Sequence, residues 1–166
     1  MINYSLLSNR YNVRKMNTND VPLILSLCSN NELYYHYYPP LPTEESIIHD
    51  LTVLPPNKTL EDKYFLGYFD QDSLIAVMDL IMSFPNKDTA FIGFFMCDIH
   101  IQKQGIGSSI VNELCSSLKQ MGINIIRLAM VEANPQATHF WKKNGFTTFK
   151  KTMQDNIPLV IAERKL

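Results

Sequence analysis

Apolar residues recur at two spacings along this chain, and each change of spacing marks a new element. Val21, Ile24, Leu25 and Cys28 fall three and four apart. Caps are offered at residues 18–20 and Pro22 sits in the first turn, which predicts a helix ending before Ser29-Asn30-Asn31. Ile47, Ile48 and Leu51 repeat the pattern behind Thr43, with Glu44 and Glu45 favourably placed at the positive end of the helix dipole. From Lys63 the spacing becomes that of strands. Residues 64–69 and 74–82 flank Asp70-Gln71-Asp72 as a hairpin, and residues 89–97 form a third strand with almost no polar side chain, as expected when both faces are covered.

Residues 105–121 return to the helical period, with Ile106, Ile110, Val111, Leu114, Leu118 and Met121 in one stripe and Gly122 as a left-handed terminator. Residues 123–131 read as a strand, and Asn134-Pro135 opens a helix that runs to Asn144-Gly145. Residues 146–151 and 159–162 read as two more strands, and residues 11–16 as a short one near the start. Residues 1–10 carry no periodic signal and are expected to be a loosely held leader. The segment Tyr34-Tyr35-His36-Tyr37-Tyr38-Pro39-Pro40 is barred from a long helix by its prolines and reads as an aromatic loop. The sum is an α/β domain over residues 1–166: a mixed, mostly antiparallel sheet of about seven strands with helices on both faces.

Charge and composition narrow the partners. The 166 residues hold 15 Lys+Arg against 16 Asp+Glu, so there is no basic surplus for a general nucleic-acid binder. No apolar run approaches the ~18–20 residues of a bilayer span, and the start of the chain lacks the pattern of a secretory signal. Cys28, Cys97 and Cys115 are an odd set without metal-ligand spacing, which fits reduced core residues in a cytoplasmic, metal-free protein.

Chemistry concentrates between the buried strand ending at Cys97 and the helix after it. The run Gln102-Lys103-Gln104-Gly105-Ile106-Gly107-Ser108 puts two glycines at a helix start, where four N–H groups lack partners and the dipole favours an anion. On spacing alone this is either an anion cradle or a glycine-eased turn. It is not a Walker loop, and Ile110 stands where a dinucleotide fingerprint has its third glycine.

Gln102-x-x-Gly105-x-Gly107, followed by Asn134-Pro135-Gln136-Ala137 and Gly145-Phe146, resembles the GNAT superfamily of N-acetyltransferases over about residues 11–165. The resemblance implies acetyl-CoA as co-substrate and transfer to a primary amine of a small molecule or peptide by direct attack in a ternary complex. It implies that the backbone of Phe95 and Cys97 pairs with the pantetheine arm. The N–H groups of Gln102, Lys103, Gln104, Gly105, Ile106, Gly107 and Ser108 would hold the pyrophosphate, with Asn134 near the sulfur. It also implies a sheet that splays between the strands ending at Cys97 and Val131.

Such a reaction needs a neutral amine, a donor for the oxyanion and a proton for the thiolate. Relatives place a tyrosine seven residues after the Asn of the second motif, and this chain has Trp141, whose indole is too weak an acid for that task. Solvent, His139 or Tyr38 could serve in its place, Trp141 could simply pack in the core, or the protein could bind acyl-CoA without turning it over. Asp98, ahead of His100 and Glu132, is the candidate base. Tyr34, Tyr35, His36 and Tyr38 form either an acceptor wall or a packing patch against a second subunit.

Overall fold

The computed structural model describes residues 2–166. The elements follow as β1 (Asn12–Lys15), α1 (Val21–Ser29), α2 (Glu32–Tyr37), α3 (Glu44–Thr52), β2 (Lys63–Asp70), β3 (Ser73–Ile81), β4 (Thr89–Cys97), α4 (Ile106–Gln120), β5 (Ile125–Val131), α5 (Pro135–Lys143), β6 (Thr147–Gln154) and β7 (Ile157–Lys165). They build one seven-stranded sheet in the order β1-β2-β3-β4-β5-β7-β6. Every pairing is antiparallel except β4 with β5, which α4 connects as a crossover.

The period of two along the central strands divides the core between the two faces. Tyr64, Leu66 and Tyr68 of β2 with Met78 and Leu80 of β3 pack under Ile110, Leu114 and Leu118 of α4 and Trp141 of α5. Phe65 and Phe69 of β2 with Val77 of β3 meet Ile24 and Cys28 of α1 and Ile47 and Leu51 of α3. Helices thus cover both faces, as the pattern predicts.

Three expectations need correction. The first ten residues are not a loose leader: Leu7 is 0% exposed and Ile2 and Tyr11 join it in the α4-side core. Burying one such leucine contributes about 1.5–3 kcal/mol, enough to hold a short segment in place. Polar bonds fix it further, with Ser8 Oγ donating to Glu113 Oε2 of α4 at 2.6 Å and Ser117 Oγ bonding the Leu6 carbonyl. The aromatic segment is not a loop but the six-residue helix α2, which ends at Tyr37 two residues before the first proline. Finally, β4 is not covered throughout, since Gly93 is exposed and Phe94 and Phe95 are half-buried. There the sheet opens.

The turn into α1 carries a testable electrostatic feature. Asp20 accepts from both terminal nitrogens of Arg14, at 2.9 and 2.7 Å, and from the backbone N–H of Asn17 at 2.9 Å. The Arg14 guanidinium, first, and the Asn17 N–H hold its carboxyl below the usual range, against a smaller opposing effect of burial. A depressed carboxylate stabilises the fold above the unfolded pKa, and that stability is lost as pH falls through the folded value. Asp20→Ala is expected to cost about 1–2 kcal/mol at neutral pH, a figure discounted because Arg14 is partly solvated, and progressively less in acid. Urea midpoints measured from pH 7 down to pH 3 check this, and a loss that does not shrink in acid contradicts it.

Candidate active site

The parallel ladder between β4 and β5 is short. It runs through four pairs, Thr89 with Ile125 to Ile92 with Leu128, and among the described residues β4 from Gly93 onward has no strand partner on that side. A bulge marks the place: Asp79 of β3 pairs with Phe94 and Leu80 with Ile92, so Gly93 is the extra residue. A Cβ there would stand 2.6 Å from Asp79 Oδ2, so any larger residue would displace that carboxylate. The seam opens into a cleft of about 1430 Å³ that passes from the α4–α5 face to the α2–α3 face. That exceeds the ~300–1,000 Å³ of a pocket for one small ligand, so there is space for two.

At the α4 end, the first helical bond is from Ser109 N–H to the Gly105 carbonyl at 3.0 Å. Among the described residues, the N–H groups of Ile106, Gly107 and Ser108 therefore have no backbone acceptor, and they carry the positive end of a 15-residue helix dipole. Lys103, with φ +62°, and Gly105, with φ +81°, reverse the chain just ahead of them, and both line the cleft. A Cβ on Gly105 would meet nothing within 4 Å, so its open side faces free space. On Gly107 it would stand 3.2 Å from Cys97 Sγ and 3.3 Å from the Phe140 ring, so this glycine lets β4, α4 and α5 approach one another. These features fit a pyrophosphate.

Gln102 and Asn31 form a polar joint that the sequence alone does not reveal. Gln102 Nε2 donates to Asn31 Oδ1 at 2.6 Å and to the Cys97 carbonyl at 3.1 Å, and Asn31 Nδ2 reaches the same carbonyl at 3.3 Å. The Cys97 carbonyl is thereby committed, which narrows the backbone expected to meet a pantetheine arm. Burial raises the Cys97 thiol to about 12, so it is not a nucleophile near neutrality. Asn134 is the N-cap of α5, accepting from Ala137 N–H at 3.1 Å, and it also lines the cleft. The side chain of Gln104 bonds the His100 carbonyl, and that of Ile106 packs into the core, so neither reaches the cleft. Ser108 Oγ, which accepts from Asn144 Nδ2 at 3.1 Å, lines it.

The catalytic candidates separate. Asp98 does not line the cleft; its carboxylate bonds the His100 backbone N–H at 2.8 Å and the His100 ring at 2.9 Å, which is a capping task. Glu132 pairs with Lys151. His139 is exposed on α5 and does line the cleft. Trp141 is 8% exposed among Phe95, Phe140 and Phe146, at ring distances of 5.8, 4.9 and 5.0 Å. Packing accounts for it.

On the α2–α3 side, Tyr34 lies edge-on to Phe94 at 5.5 Å and to Tyr35 at 4.9 Å, and Tyr34, Tyr35 and Tyr38 line the cleft. Burial raises all three phenols, and Tyr38 is the least enclosed of them. His36 is exposed, stacks edge-on against Tyr37 and is not part of the lining. Three cleft carboxylates, Asp50, Asp79 and Asp155, escape pattern reading. Asp50 of α3 is raised by burial, and Asp79 of β3 is buried against Lys63 of β2. The available signal for Asp79 is one charge in the otherwise apolar run Leu74-Ile75-Ala76-Val77-Met78-Asp79-Leu80-Ile81.

A family model for the acetyltransferase (GNAT) family matches residues 29–146. No curated protein matches the chain by sequence. Among solved structures, an acetyltransferase from Thermus thermophilus is similar at 18% identity and TM-score 0.77, covering 94% of this chain and 97% of that one. A PaiA N-acetyltransferase from Thermoplasma acidophilum, solved with coenzyme A, is similar at 21% identity and TM-score 0.69, covering 94% and 99%. The ribosomal-protein-S18-alanine N-acetyltransferase of Escherichia coli shares the fold at 14% identity and TM-score 0.68, covering 93% of each chain.

The fold and the cleft thus define an acyltransferase whose acyl donor is acetyl-CoA. The chain belongs to the acetyltransferase (GNAT) family.

Proposed function

We propose that the protein acetylates a primary amine of a small molecule or peptide, by direct attack with both substrates bound at once. The supporting observation is the continuity of the cleft, from the free N–H groups of α4 through the seam to the aromatic wall of α2. The N–H groups of Ile106, Gly107 and Ser108, with Lys103 beside them, hold the pyrophosphate. Phe95 and the free edge of β4 flank the pantetheine arm, which enters as an added strand. Acetyl-CoA supplies an activated acyl thioester. The chain supplies alignment, since holding amine and acyl carbon together removes most of the entropic barrier. His139, on the cleft side of α5, stands ready to return a proton to the departing sulfur, a role open because Trp141 is engaged in packing.

The acceptor lies against Tyr38. Tyr34 is wedged between Phe94 and Tyr35, and both tyrosines are more enclosed than Tyr38, so Tyr38 is the ring a substitution removes with least damage. Tyr38→Ala is expected to raise the acceptor KM a few-fold to about thirtyfold, the worth of one cation–π or stacking contact of ~0.5–2 kcal/mol. Acetyl-CoA affinity is expected to stay nearly constant. The assay is release of free CoA thiol with a diamine, an amino sugar and a lysine-containing peptide. Thiol release with none of these amines overturns the reading. A changed sedimentation coefficient with an unchanged KM makes the aromatic segment a subunit interface instead.

A further inference from the structure

Asp79 is 8% exposed, and its ion-pair partner Lys63 is 1% exposed. Lys63 Nζ donates to Asp79 Oδ2 at 2.8 Å, while Asp79 Oδ1 is buried and has no hydrogen-bond partner among the described residues. Removing two charges from water is costly, and apolar residues in their place commonly fold as well or better, so such a pair calls for a reason beyond stability. Its position supplies one. The carboxylate lies against Gly93, the first residue of β4 past the last β4–β5 pair, and lines the cleft where the seam begins. The anion-binding N–H groups of α4 follow the other end of the same strand. A ligand anchored at α4 and laid back along β4 brings its reactive end toward Gly93. Strand alternation puts Asp79 on the face of Val77, the α1–α3 side, where the aromatic wall stands.

We infer that Asp79 is the catalytic base, taking the proton from the acceptor ammonium, with Lys63 as its positioning partner. This rests on the amine-acetylation reading above. The Asp79 carboxylate takes one proton from the ammonium. The freed nitrogen lone pair bonds to the acyl carbon, the carbon–sulfur bond breaks, and its electron pair leaves on sulfur. The proton shed by the new amide nitrogen passes by way of His139 to that thiolate, and Asp79 returns its own proton to water. One proton is released per acetyl transferred, so charge balances. Burial raises Asp79 to about 6, partly offset by Lys63 of β2 and reinforced by Asp50 of α3, which has His49 beside it. Such a group is mostly ionised at neutral pH and still basic enough to accept a proton.

The test compares wild type, Asp79→Asn and the double variant Lys63→Met with Asp79→Asn. Each is assayed for CoA thiol release between pH 5 and 9 with the best amine of the panel above, and for acetyl-CoA affinity by calorimetry. Wild type should show an acid limb centred near pH 6. Asp79→Asn should lower kcat about a hundredfold or more at pH 7, the usual worth of a positioned base, and abolish that limb. Acetyl-CoA affinity should change less than about threefold, a shift of under ~0.7 kcal/mol. If Asp79→Asn fails to fold because Lys63 is left unpaired, the double variant, which buries no charge, carries the same expectation. A folded variant with near-normal kcat and an intact acid limb overturns the assignment while leaving the amine-acetylation reading in place. Wild type that releases no thiol with any amine overturns both.

Discussion

Gly105→Trp is expected to weaken acetyl-CoA binding by about tenfold or more, a loss of ~1.4 kcal/mol or above. The comparison with alanine separates backbone strain from bulk. Gly105 has φ +81°, so any L-residue there carries a left-handed penalty of roughly 1–2 kcal/mol. Gly105→Ala bears that penalty too, yet its single methyl meets nothing within 4 Å. Alanine and tryptophan therefore share the strain and differ in how much of the space beside the free N–H groups they fill. Calorimetry should find Gly105→Ala close to wild type in affinity and Gly105→Trp impaired, with both folded. Equal, unimpaired affinities would remove the pyrophosphate from this turn.

Trp141→Ala is expected to destabilise the fold by about 3–5 kcal/mol, the usual cost of deleting a large buried aromatic. For a domain of this size that lowers Tm by roughly 6–20 °C, read by calorimetric or circular-dichroism melting. The indole joins Phe95 of β4, Phe140 of α5 and Phe146 after it, so its loss loosens α5 against the free end of β4. Trp141→Tyr keeps a ring in that cluster and adds a phenol, a proton donor that indole is not. Turnover should hold or rise if thiolate protonation limits the rate. A large fall in turnover with intact melting would assign the indole a direct contact with substrate.

The α4 end of the cleft, where we place the pyrophosphate, is legible in the sequence because its features are backbone features. Two glycines, a proline after an asparagine cap and an amphipathic stripe are local signals, and Gly105, Gly107 and Asn134 stand where they imply. The parallel crossover and the splay follow from the same signals once the motif is recognised. The α2–α3 side, where we place the acceptor, depends on contacts between distant segments. Asp79 reads as one polar position in an apolar strand, and nothing local pairs it with Lys63, 16 residues earlier, or sets it beside Gly93. The first ten residues fail for a related reason: Leu7 has no periodic neighbours and is buried only because α4 arrives from residues 106–120. In α2 the prolines limit helix length without forbidding one short helix before them.

The four-pair ladder from Thr89 to Ile92 has a mechanical consequence. Among the described residues it is the one strand ladder joining a block of four strands, contiguous over residues 12–97, to a block of three over residues 125–165. Each block keeps its own antiparallel ladders intact if that joint yields. The strand joint between the two blocks is therefore confined to residues 89–92, beyond which Phe94 to Cys97 stay paired to β3 and leave their other edge open. A ligand that bridges both blocks would act as a splint across that joint.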